Sequence, residues 1–209
     1  MKFYGQLKQT TTCKNKLPMK DRNNLYPIFL KTQQLNILIV GGGFVALEKL
    51  TFLLKSSPNA NVEMVAPFFR PETLDFIKDK NVTTIDGIYL KEYLENKNIV
   101  IATTDDVPIN EQVYHDCRAR NILVNVADNP PFCDFYMGGI VTKGNVKIAI
   151  STNGQSPTTA KRLRQFFEEV IPEDINLLVK NLNEFRKTIK GDFEEKVKVL
   201  NKLTENLVK

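Results

Sequence analysis

Short apolar runs alternate with amphipathic stretches along most of the chain. Asn36–Val40 (NILIV) reads as a buried strand, and Val45–Lys55 places Ala46, Leu47, Leu50, Leu53 and Leu54 at helical spacing. Val62–Ala66, Val82–Ile85 and Ile99–Ala102 read as further strands, Ile109–Arg120 as a helix and Ile122–Val126 as a strand. Strand and helix in this rhythm predict a parallel sheet covered on both faces. The rhythm changes after Asp134. Gly139–Thr142 and Val146–Ser151 read as a hairpin turning at Lys143-Gly144-Asn145. Ser156-Pro157 supplies an N-cap and a first-turn proline for a helix reaching Val170, and Pro172 ends it. Two stripes follow, Ile175, Leu178, Val179, Leu182, Phe185 and Ile189, then Phe193, Val197, Leu200, Leu203 and Leu207. Both are expected to be core seams. The fold class is α/β: a parallel sheet, then a β-hairpin, then helices.

Charge changes this picture little. The net +5 comes from the first 35 residues, which carry +6 and leave residues 36–209 at −1. Residues 1–22 show no period and read as a basic, poorly ordered tail, with no apolar core of a secretory signal and no membrane-length apolar run in the chain. The excess being a tail property, no nucleic-acid partner and no membrane is expected. Cys13, Cys117 and Cys133 form no C-x-x-C pair and fit free thiols in a reducing, cytoplasmic setting.

The chemistry begins at Gly41-Gly42-Gly43-Phe44-Val45-Ala46, which satisfies G-x-G-x-x-A between a predicted strand and a predicted helix. Gly41 permits the tight turn, Gly43 lets a pyrophosphate approach the backbone, and the helix N-terminus offers free N–H groups. The acid that usually reads a ribose after the second strand is not evident. Glu63 is mid-strand, the strand ends at Ala66-Pro67-Phe68, and Arg70 beyond it suits a 2′-phosphate, so the residues leave NAD and NADP open. Ligands of open α/β sheets lie beyond the carboxyl ends of the strands. Thr103-Thr104-Asp105-Asp106 and Asn125-Val126-Ala127-Asp128 both land there. Asp128 reads equally as a functional carboxylate or as a turn cap ahead of Asn129-Pro130-Pro131. No metal cage is expected: the single histidine, His115, sits mid-helix.

These residues, in this order, resemble a known family. Ile39–Gly43, Thr104-Asp105-Asp106, Asn125–Asp128, Cys133-Asp134-Phe135 and the run Ile148–Pro157 (IAISTNGQSP) are similar to those of precorrin-2 dehydrogenases/sirohydrochlorin ferrochelatases, which form part of siroheme synthase. The resemblance covers roughly residues 23–209. It implies an NAD-binding Rossmann domain over 23–137, a dimerisation segment over 138–157 and a helical tetrapyrrole-binding domain over 158–209. It implies a homodimer that oxidises precorrin-2 to sirohydrochlorin with NAD and inserts Fe²⁺, the metal being substrate rather than resident cofactor. By position, Asp128 matches the catalytic aspartate. Phe44, Val45, Pro67 and Phe68 match NAD contacts, with Thr104 and Asp105 beside them at the sheet edge. Thr152 matches a serine lining the tetrapyrrole site in some members. Phe44 and Gly138 depart from the usual pattern. The methyltransferase domain of fused members has no counterpart here, so methylation is expected on another chain. Lys161, Arg162 and Arg164, opening the helix after Pro157, read as a clamp for substrate carboxylates or as a solvated face. Two other readings stand beside this one: a dehydrogenase without chelatase activity, and a nucleotide-sensing regulatory module on the same sheet.

Overall fold

The computed structural model describes residues 22–205; of the expected tail only Arg22 falls within them. Five strands, β1 (Asn36–Val40), β2 (Asn61–Ala66), β3 (Val82–Asp86), β4 (Ile99–Ala102) and β5 (Leu123–Val126), form one parallel sheet in the order β3-β2-β1-β4-β5. The chain runs outward from β1 to β3, then crosses back to β4, so the order reverses between β1 and β4. The crevice for a ligand opens at that point.

Alternation in β1 divides the core. Ile37 and Ile39 face one side, with Ala46, Leu50 and Leu54 of α1 (Phe44–Ser56) and with Val62, Met64 and Ile101. Leu38 and Val40 face the other, with Val100, Val124, Val126 and Val113 and Cys117 of α3 (Val107–Ala119). A strand buried on both faces has no polar alternation to show, which is why β1 and β4 read as continuous apolar runs. Edge strand β3 carries exposed Thr83, Thr84 and Asp86 instead.

Where no element is predicted after Pro67, a short α2 (Pro71–Ile77) forms, with proline in its first turn. Its single buried residue, Thr73, leaves no periodic pattern to read.

The second sheet is the antiparallel hairpin β6 (Gly139–Lys143) and β7 (Val146–Ile150). It packs on α4 (Pro157–Val170), and Lys147 Nζ ties it to Ser56 O at the end of α1, 2.6 Å away. Val141 and Ile150 are buried within the chain, while Ile140 and Ile148 are half-buried.

The expectation of core seams in α5 (Ile175–Thr188) and α6 (Phe193–Leu203) needs correction. Neither these helices nor α4 contains a fully buried residue. Phe193 and Leu203 of the second stripe are each 60% exposed or more, while Ile175, Leu178, Val179 and Leu182 of the first are half-buried. Among the described residues the first stripe is partly covered and the second lies largely exposed. Leu207 lies outside the described residues.

Candidate functional site

The glycine turn is built by contact with the neighbouring strand loop. Gly41 sits at φ +125°, and a Cβ there would lie 2.5 Å from Thr103 Oγ1. That hydroxyl donates to Val40 O at 2.8 Å, locking the β1 and β4 ends together. Gly43, the N-cap of α1, is different: a Cβ would meet nothing within 4 Å. Glycine there serves no packing inside the protein and leaves room for what approaches from outside. The first-turn N–H groups of α1 face this space without a capping side chain. A dinucleotide pyrophosphate fits such a cradle. Phe44 and Phe68 stand at its mouth, each 67% exposed.

Glu63 does not reach the crevice. It forms an ion pair with Lys97 at 3.2 Å. Thr104 is used in fixing the β4 loop: its hydroxyl donates to Asn110 Oδ1 at 2.8 Å, and Asn110 Nδ2 returns a bond to Thr104 O at 2.9 Å. Asp106 caps α3 by accepting from Ile109 N at 3.1 Å, and Asp105 is exposed beside it.

Asp128 lies in the left-handed region at φ +58°, in a turn closed by Asn129 N to Val126 O at 3.2 Å. Aspartate and asparagine tolerate this conformation better than other residues with a Cβ. The loop that carries it is stapled back to β5. Asn125 Nδ2 donates to Phe135 O at 2.8 Å and to Cys133 Sγ at 3.3 Å, and Cys133 Sγ lies 3.2 Å from Val126 O. Asp134 accepts from Val124 N at 3.0 Å and from Arg118 at 2.8 Å. Burial pushes the Cys133 thiol pKa up, so the group sits there as a neutral hydrogen-bonding partner. The N-V-A-D and C-D-F segments of the sequence are thus two halves of one loop. Exposed Asp128 is held by backbone, with its carboxylate free.

Beneath it opens a cavity of about 600 Å³ between β5, α1, the hairpin and the start of α4. Asp128, Thr152, Lys161 and Arg164 all line it. Arg162 does not, and turns to Gln165 Oε1 at 3.1 Å on the solvent side. Arg164 also holds Glu168 at 2.6 Å, one helical turn on. Ser156 caps α4, accepting from Thr159 N at 3.2 Å, and Thr152 Oγ1 bonds both Ser156 N and Ser156 O. The Thr152 hydroxyl therefore shapes the α4 entrance.

Glu48 and Lys49 of α1 also line the cavity and escape the sequence reading. No motif marks them, and their helix reads as a core helix with ordinary polar positions between its leucines. At 1.5 Å per residue, Glu48 stands only about 7 Å along α1 from Gly43. One helix therefore joins the dinucleotide turn to the cavity wall. Three cations, Lys49, Lys161 and Arg164, and two carboxylates, Glu48 and Asp128, share this space. Among the described residues no group of three or more His, Cys, Asp or Glu side chains is placed to hold a metal ion. No helix among them is long and apolar enough to cross a membrane.

Comparison with known proteins bears on this geometry. Residues 28–139 match the family described as putative NAD(P)-binding, and residues 143–169 match that described as sirohaem biosynthesis protein central. A siroheme synthase of Psychrobacter sp. (strain PRwf-1) is 40% identical over 168 residues, which are 80% of this chain and 34% of that protein. One from Pseudoalteromonas atlantica is 38% identical over 173 residues, 83% of this chain and 37% of that protein. The chain thus spans about a third of the length of these curated relatives. The solved structure of SirC, a precorrin-2 dehydrogenase, superimposes with a TM-score of 0.70 at 21% identity, covering 86% of this chain and 89% of that one, and shows the same fold. With the first match alone taking in more than half of its residues, the chain belongs to the family described as putative NAD(P)-binding.

Proposed function

We propose that the protein oxidises precorrin-2 to sirohydrochlorin with NAD and then inserts Fe²⁺, with Asp128 as the proton acceptor. The observation that carries this reading is the cavity that joins an exposed, backbone-held carboxylate to three cations next to the dinucleotide turn. Gly41, Gly43, Phe44, Val45, Pro67 and Phe68 hold NAD in this reading, with Thr104 and Asp105 framing the crevice at the β4 edge. Bound NAD supplies the hydride acceptor.

The remaining tasks fall to the chain itself. Oxidation by two electrons releases one hydride and one proton from the macrocycle. Asp128 takes that proton as general base. Lys49, Lys161 and Arg164 offset the carboxylates of the tetrapyrrole and fix its orientation, while Phe52 and Tyr136 give the ring apolar walls. Iron insertion requires two pyrrole protons to leave as Fe²⁺ enters, and the cavity presents two carboxylates, Asp128 and Glu48, to receive them. Fe²⁺ is a substrate here.

We further propose a division into a dinucleotide domain over residues 23–137, a dimerisation segment over 138–157 and a helical substrate domain over 158–209, working as a cytoplasmic homodimer. The free thiols Cys117 and Cys133 suit a reducing compartment, and the exposed apolar residues of α4 to α6 supply a surface for the second copy.

The test is direct. Purified protein with precorrin-2 and NAD is expected to produce NADH, and with sirohydrochlorin and Fe²⁺ to form siroheme above the spontaneous rate. No NADH would overturn the dehydrogenase reading. NADH without enzymic siroheme would leave a dehydrogenase alone.

A further inference from the structure

The adenosine end of the crevice holds a cation where a ribose-reading acid usually stands. In dinucleotide folds that acid follows β2 and accepts from the ribose 2′-OH, whereas an arginine there receives a 2′-phosphate. Here β2 ends at Ala66 and leads through Pro67-Phe68-Phe69 to Arg70. Glu63 lies within the strand and is paired with Lys97. The next acid along the chain, Glu72, bonds Arg70 Nη2 at 3.1 Å.

Arg70 is fixed to the dinucleotide turn from two sides. Its backbone N donates to Gly42 O at 3.2 Å. Its guanidinium carbon lies over the ring of Phe44, the first residue of α1, 3.4 Å from the centroid. The ring contact and the Glu72 bond hold the planar group in one orientation at little further entropic cost on binding. Arg70 Nε is nevertheless buried without a hydrogen-bond partner among the described residues. The side chain as a whole is 29% exposed, and its Nη groups carry donors beyond the Glu72 bond for an arriving anionic oxygen.

We propose that Arg70 is a receptor for the 2′-phosphate of NADP, so that this crevice takes NADP as well as NAD. The proposal rests on the dinucleotide-site reading above. Phe44 is part of the device: its ring presents the guanidinium, and its backbone N–H belongs to the helix end that faces the pyrophosphate. Glu72 positions Arg70 but also repels the incoming phosphate.

Calorimetric titration of the full chain with NAD and with NADP tests this without any turnover. For the unaltered protein the Kd for NADP is expected to be no more than about tenfold that for NAD. Arg70→Ala should raise the NADP-to-NAD ratio of Kd values by about 10- to 100-fold, the size of one lost charge-assisted contact. Because both ligands are measured on the same sample, partial misfolding of the variant cancels in the ratio. Glu72→Gln, which keeps a bond to Arg70 and removes the competing charge, should lower the ratio. An unaltered protein with a ratio above about tenfold, an Arg70→Ala ratio that rises by less than about threefold, or a Glu72→Gln ratio that does not fall would each overturn the assignment. Equal weakening of both dinucleotides would mean that Arg70 serves the pyrophosphate they share. Failure of both to bind the unaltered protein would remove the dinucleotide site itself, and Arg70's role with it.

Discussion

Gly43 and Asp128 show how far single positions can be argued. A Cβ at Gly43 meets no atom within 4 Å, and its φ of −82° is open to any residue. Gly43→Val is therefore expected to fold and yet lose NAD binding, since the branched side chain fills the space of the pyrophosphate. Calorimetry on a variant with unchanged circular dichroism checks this, and retained affinity would sink the nucleotide site. For Asp128, the left-handed backbone makes asparagine the informative replacement, because it tolerates φ +58° and removes only the charge. Asp128→Asn should leave thermal stability nearly unchanged and slow dehydrogenation by about 10²–10⁴-fold, the usual worth of a general base. Stopped-flow or steady-state NADH formation measures it, with wild-type turnover as the contrary result. Both positions stand out in the sequence, Gly43 as the glycine before a helix and Asp128 as an acid in a proline-rich turn. Glu48 and Lys49 do not: their place in the cavity depends on what packs across from α1.

At the scale of elements, the loop from Ala127 to Asp134 is held by side chains that look unrelated in sequence. Asp134 gives its carboxylate to the part-buried Val124 N–H and to Arg118. Asp134→Ala should cost about 1–3 kcal/mol, mainly by orphaning that N–H, since the Arg118 side chain is 57% exposed and its ion pair is screened. Urea unfolding reads this directly; a loss below about 0.5 kcal/mol would show that the staple is not needed. On the other side of β5, α3 buries Cys117, whose thiol is pushed up to about 12, first by burial and then by Asp116. The folded state thus holds a proton that the unfolded chain releases near pH 8.5–9. Stability should be full below that range and fall as pH rises toward 12. Tyr89, bonded to Asp116 at 3.1 Å and shifted upward chiefly by burial, adds to the same trend. Chemical denaturation at pH 8 and pH 10 should show a loss that Cys117→Ala reduces; identical slopes for the two proteins would refute it.

For the whole molecule, the exposed apolar residues bear on where a second copy would pack. The resemblance implies a dimerisation segment over 138–157, whose strands carry Ile140, Val141, Ile148 and Ile150. In the fold, Val141 and Ile150 are covered within the chain, Ile140 and Ile148 stay half-buried, and further exposed apolar residues lie on α4, α5 and α6 and at Leu25, Tyr26, Ile28, Phe29 and Leu30. A dimer is the expected state, and sedimentation should show about twice the 23.9 kDa chain at micromolar concentration. A stable monomer would oppose it. The alternation of apolar runs and amphipathic helices determines the parallel sheet, its crevice and the glycine turn, because all three depend on local periodicity and on backbone freedom at one residue. What covers an amphipathic face cannot be read from its periodicity, since a stripe that meets its own core and one that meets another chain are written alike. The short α2 is missed for a related reason, its one buried residue leaving no period. The shared cavity is likewise decided only in three dimensions, where β5, α1, the hairpin and α4 converge from distant parts of the chain and bring Lys49 into the same space as Asp128 and Arg164.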